Sequence, residues 1–261
     1  MARVDPRRGG AGLELFAAIS FAATLAAGLL VGGRLLLLAR ATHRGAELFV
    51  GFGTVMLVIA GVTEMAGLDL ARAQHPWAYR TEVVAHFAHS LSASSMGFAV
   101  WRVFYPDRPW ALRVCLIETA LLFTSWQAVI LPGQHTYVTG FTPWFHLHVA
   151  TRAAAFAWCA IAAAFHYRRL RRRLALGLVE PFLCHRFLLW TIAMGSTAAI
   201  FGTALVVNVT RDVLVFASPT ALLVVSVLGL LGAWALLFAF LPPAAYVRFV
   251  VGQARPAPAA S

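Results

Sequence analysis

The chain contains no lysine. All 21 of its basic side chains are arginines, so no residue can form the Schiff base that a retinal pump or sensor requires. Charged residues make up only 12% of the 261, about half the share of a soluble globular chain, which excludes a water-solvated surface. The three cysteines, Cys115, Cys159 and Cys184, all fall within or beside apolar runs and imply no disulfide framework. Neither CxxCH nor HExxH occurs. The short segments of alternating polarity that build a membrane barrel are missing as well. No internal repeat is convincing, so a duplicated transporter architecture gains no support.

What is there is apolar. Hydrophobic residues make up 61% of the chain, and the mean hydropathy is +0.77. A spanning helix needs about 20 mostly apolar residues. Seven stretches qualify, roughly 12–38, 47–70, 82–104, 110–131, 143–166, 185–208 and 217–241. They predict an all-α integral membrane protein: one seven-helix bundle filling 1–261, with a short tail at 244–261 and almost no room for a soluble domain.

Orientation follows from arginine placement, because loops on the cytoplasmic side retain an excess of Lys and Arg. The connection after the fifth stretch, HYRRLRRRLALGLVEPFLCHR, carries Arg168, Arg169, Arg171, Arg172 and Arg173. Placing it inside puts the N-terminus outside and the C-terminus in the cytoplasm. Arg3, Arg7 and Arg8 dissent, and with Ala39-Arg40-Ala41 they imitate a cleavable leader. The apolar run between is far longer than the ~7–15-residue core of a signal peptide, and cleavage would turn the five-arginine connection outward. The lysine-free, alanine- and arginine-heavy usage suggests a GC-rich bacterium and hence its inner membrane.

Ionisable residues within a bilayer cost ~2.5–3.5 kcal/mol each and usually face a bundle interior or cavity. Here they share one depth. Glu64, His86, His89, Trp126, Gln127, His146, His148 and Arg152 all fall within roughly 5–14 Å of the outer interface at ~1.5 Å per residue. Glu82, His86 and His89 follow i, i+4, i+7 on one stripe, continued by Ser90, Ser94 and Gly97. His148 and Arg152 share a face, whereas His146 points elsewhere. Glu64 is the natural partner for Arg152 or a protonated histidine.

Three readings of this cluster compete. In the first, Glu64, His86, His89, Gln127, His148 and Arg152 line an outward polar pocket, roofed by Gln134, His135, Tyr137 and Trp144. In the second, His86, His89, His146 and His148 ligate haem or a transition metal. In the third, the groups form a buried network that fixes helix packing.

Other features have simpler readings. Gly28 and Gly32 form a GxxxG that predicts packing within the bundle, with a homo-oligomer as the alternative. Glu118 invites a pairing with Arg113 or a hydroxyl, or a proton-relay role. Trp101, Trp110, Trp144 and Trp190 fall near span ends and read as interfacial anchors. The arginine-rich connection attracts anionic headgroups by about 1 kcal/mol per residue, and its alternative role is docking an acidic cytoplasmic partner. Nothing points to nucleic acid.

An enzyme is not indicated, since Ser90 and His89 are neighbours that diverge on a helix. A transporter would want polar groups through the inner half, where Glu118 stands alone. The pattern instead favours a receptor-like sensory or ligand-binding module. The 18 residues after Pro243 leave its output to a separate protein. The other readings are a haem- or metal-binding redox protein and a structural subunit of a membrane complex.

Overall fold

A computed structural model describes residues 6–133, 136 and 140–253. Among these residues the chain is helical throughout and contains no strand. The helices are α1 (Pro6–Thr42), α2 (Gly45–Arg72), α3 (Ala78–Phe104), α4 (Pro109–Ile130) and α5 (Pro143–Ala175), followed by α6 (Pro181–Arg211), α7 (Pro219–Phe240) and α8 (Ala244–Gln253). A 3-10 turn at Val215–Ala217 precedes α7.

Local chemistry sets the boundaries. Proline opens α4, α5, α6 and α7, where its missing N–H costs no helical bond. Thr142 caps α5 by accepting the Phe145 N–H at 3.2 Å. Helix α5 continues nine residues past the expected end at 166, because RRLRRRLA offers only good helix formers. The five arginines are therefore its final turns, and not a loop. Gly177 stops it at φ +69°, with the Leu178 N–H bonded to Arg173 and the Gly177 N–H to Leu174.

Six helices are long and apolar enough to cross a membrane: α1, α2, α4, α5, α6 and α7. Helix α3 has the length, at 27 residues, but not the apolar composition, since it carries Glu82, two histidines and four serines. Fifteen of those 27 residues are buried, so its polar groups turn to protein. Conversely, Leu37, Ile117 and Val206 each expose 60% or more of their surface on the outside of the bundle. Apolar outside and polar inside is the pattern a bilayer selects. This is an all-helical protein built for a membrane.

Helices α1, α2, α3, α5, α6 and α7 pack each against the next and close into a ring, with α4 seated against α3 and α5. Small residues bring the backbones together. A Cβ at Gly28 would lie 2.5 Å from Val58, and one at Gly32 would lie 2.8 Å from Val55 and 3.1 Å from the Gly51 carbonyl. The GxxxG thus packs α1 onto α2 of the same chain. Trp110 and Trp144 are exposed, as expected of anchors, but Trp190 is not. It is buried against Phe104, Phe187 and Phe240. The tail also departs from expectation: α8 folds back, and Tyr246 hydrogen-bonds His185 at the start of α6.

Candidate functional site

Inside the ring, the first half of α3 meets the second half of α2 and the start of α5. Glu82 and His86 lie one turn apart, with Oε1 3.4 Å from Nε2. The other Glu82 oxygen accepts the Thr136 N–H at 2.8 Å. From α5, Arg152 Nη2 lies 3.2 Å from His86 Nδ1. A guanidinium can only donate, so Nδ1 accepts, and the ring proton sits on Nε2 and points to Glu82. Both nitrogens of His86 are engaged.

His89 turns toward α2, where its Nε2 donates to Glu64 across 2.9 Å. Its Nδ1 is buried without a partner. His148 is fully buried and touches His86 edge-on, with ring centroids 5.3 Å apart. Its Nδ1 lies 3.0 Å from Ser125 Oγ on α4. That hydroxyl gives its proton to the Leu121 carbonyl at 2.7 Å, so His148 donates from Nδ1. Its Nε2 then carries a buried lone pair that no donor meets. Arg152, only 2% exposed, lies over the Phe201 ring of α6 at 5.4 Å and has an unpartnered Nε.

A cavity of about 30 Å³ adjoins this network. Glu64, Glu82, His86 and Thr136 supply its polar wall, and Leu68, Phe141 and Phe145 part of the apolar one. Glu64 is the accessible member, with 39% of its side chain exposed. The volume suits one or two water-sized molecules. It is about a tenth of the smallest usual small-molecule pocket.

The structure thus brings together five of the candidate residues: Glu64, His86, His89, His148 and Arg152. Arg152 pairs with His86, leaving Glu64 to His89. Gln127 is exposed on α4 and joins none of them. His146 turns to Phe141 and Phe145 instead. Trp144 is exposed, and Gln134, His135 and Tyr137 lie outside the described residues. Three contributors escaped the sequence reading: Ser125, Thr136 and Phe201. Of these only Ser125, a small hydroxyl in an apolar helix, left a local signal. Glu118 is buried against Gly97, with one oxygen unpartnered and with Arg113 exposed and elsewhere.

Of the four candidate ligands, His86 has both nitrogens engaged, whereas His89 Nδ1, His146 Nε2 and His148 Nε2 are buried without a partner. The cavity beside them is smaller than a haem macrocycle. Among the described residues, no three His, Cys, Asp or Glu side chains are grouped to hold a metal ion. The chain matches no protein-family model, and neither a curated protein nor a solved structure is significantly similar to it.

Proposed function

We propose that this protein is a receptor-like membrane module of seven spans, with α3 as the polar one, its N-terminus outside and its C-terminus in the cytoplasm. The network of Glu64, Glu82, His86, His89, His148 and Arg152 binds a water-sized ligand that donates hydrogen bonds, of which ammonium is the charged example. One observation carries this reading: a cavity of about 30 Å³ has two carboxylates in its wall. Carboxylates accept and never donate when ionised, so they favour a small cation or donor over an anion. The arginine-rich end of α5 is the face that meets a cytoplasmic partner.

Ligand binding to the folded state raises stability in proportion to RT ln(1 + [L]/Kd). Melting temperature in detergent is therefore expected to rise with ammonium chloride and to stay flat with tetramethylammonium chloride at equal ionic strength. Glu64→Gln removes the rise. A flat response to both salts, or a rise that survives Glu64→Gln, refutes the assignment.

A second reading, a structural subunit held by this network, draws on the depth of Arg152 and His148. It expects no response to either salt.

A further inference from the structure

The opposite end of the bundle holds a larger cavity, of about 270 Å³, between the last turn of α3 and the later turns of α5. Phe104, Tyr105, Ala162, Phe165, His166 and Arg169 line it. Arg169, His166 and Tyr105 supply a guanidinium, an imidazole and a phenol, all able to donate a hydrogen bond, and no carboxylate lines the wall. Such a wall selects a phosphate-bearing anion, whose oxygens take the planar guanidinium two at a time. Arg168, 5.9 Å over the Phe165 ring, and the exposed Arg171, Arg172 and Arg173 add positive potential around the opening.

The rest of the surface says which phosphate. Phe165 is 53% exposed, and Ile161, one turn nearer the middle of the bundle, is 54% exposed. Together they make an apolar track running along α5 from the cavity toward the bilayer centre. A soluble phosphate has no use for it; two acyl chains do. Nearby, Tyr105 and Trp110 pack with ring centroids 5.1 Å apart, a pair of the kind that sits at headgroup depth.

We propose that this cavity is a binding site for one anionic phospholipid, with the phosphodiester on Arg169, His166 and Tyr105 and the acyl chains along Phe165 and Ile161. The inference rests on the protein spanning a membrane and is independent of the ligand bound at the other end. It differs from diffuse attraction of headgroups to the arginines, because it assigns the affinity to one guanidinium among five.

Native mass spectrometry of the detergent-solubilised full chain, titrated with phosphatidylglycerol, tests it. The wild-type protein is expected to retain one lipid molecule more tightly than any further ones. Arg169→Gln weakens that molecule about tenfold, the loss of one charge-assisted paired contact. Arg172→Gln, an equal change of charge outside the cavity, removes only the diffuse attraction of one surface arginine, at most about fivefold, and weakens the lipid less than Arg169→Gln does. Both arginines are exposed, so both variants are expected to fold, which matching melting temperatures check. Equal weakening by the two variants, or no preferred first lipid, contradicts the site. Displacement of the lipid by glycerophosphate assigns the cavity to a soluble phosphate and overturns the lipid proposal.

Discussion

Arg152 on α5 and His86 on α3 are joined at 3.2 Å, the guanidinium donating to Nδ1 and fixing the histidine proton on the side of Glu82. One contact thus sets both the helix spacing and the tautomer of a residue that lines the cavity. Arg152→Ala leaves a buried nitrogen without its donor and removes the side chain from Phe201, at an expected cost of about 2–4 kcal/mol. Arg152→Lys keeps the charge but loses the planar stack, and is expected to cost about half as much. In a double-mutant cycle, Arg152→Ala and His86→Phe are expected to couple, whereas Arg152→Ala and Gln127→Ala are expected to add. Melting temperatures of the purified variants give both results.

Gly32 and Gly33 are adjacent on α1 and are predicted to respond in opposite ways to alanine. A methyl at residue 32 meets Val55 at 2.8 Å and the Gly51 carbonyl at 3.1 Å, and is expected to destabilise by about 1–3 kcal/mol. At residue 33 nothing lies within 4 Å, so alanine should stabilise the helix by about 0.5–1 kcal/mol. A melting-temperature loss at both positions would contradict the α1–α2 packing.

Six of the seven expected stretches are long apolar helices, and they were legible because a helix that contacts lipid must be apolar over its whole span, which leaves a continuous signal. That Glu64, His86, His89, His148 and Arg152 gather in one place was legible for the same reason, since they interrupt that signal. Their pairing was not. Whether Arg152 reaches Glu64 or His86 depends on helix rotation and on which side chains fill the space between, and neither leaves a trace in spacing. The end of α5 was misread because five arginines look like a solvated loop, while their helix propensity carries the backbone on to Gly177. Trp190 was misread because position near a span end cannot tell a lipid-facing ring from one buried against Phe104 and Phe240.

Opposite faces of the membrane can be assigned with two single cysteines. All three native cysteines are buried, so they contribute little background to labelling by a charged maleimide. Leu131→Cys and Leu176→Cys place thiols at residues 80% and 73% exposed, at opposite ends of the bundle. Right-side-out vesicles are expected to label residue 131 and to protect residue 176. The reverse result inverts the orientation, and labelling of both before permeabilisation removes the seven-span topology.

Helix α8 is predicted to depend on one hydrogen bond. Tyr246→Phe removes the phenol that meets His185 while keeping the ring against Phe238. Hydrogen exchange over residues 244–253 should quicken several-fold, consistent with the loss of about 1 kcal/mol, while exchange in α6 stays unchanged.

In a receptor, occupancy of the small cavity beside Glu64 and Glu82 is felt at the arginine-rich end of α5. A spin label at Leu176→Cys, in proteoliposomes of right-side-out protein, measures this directly when ammonium is added outside. Label mobility is expected to change with ammonium, to stay constant with tetramethylammonium, and to lose its response in Glu64→Gln. An unchanged spectrum at ammonium concentrations that stabilise the protein would leave the ligand site intact but contradict its role as a receptor.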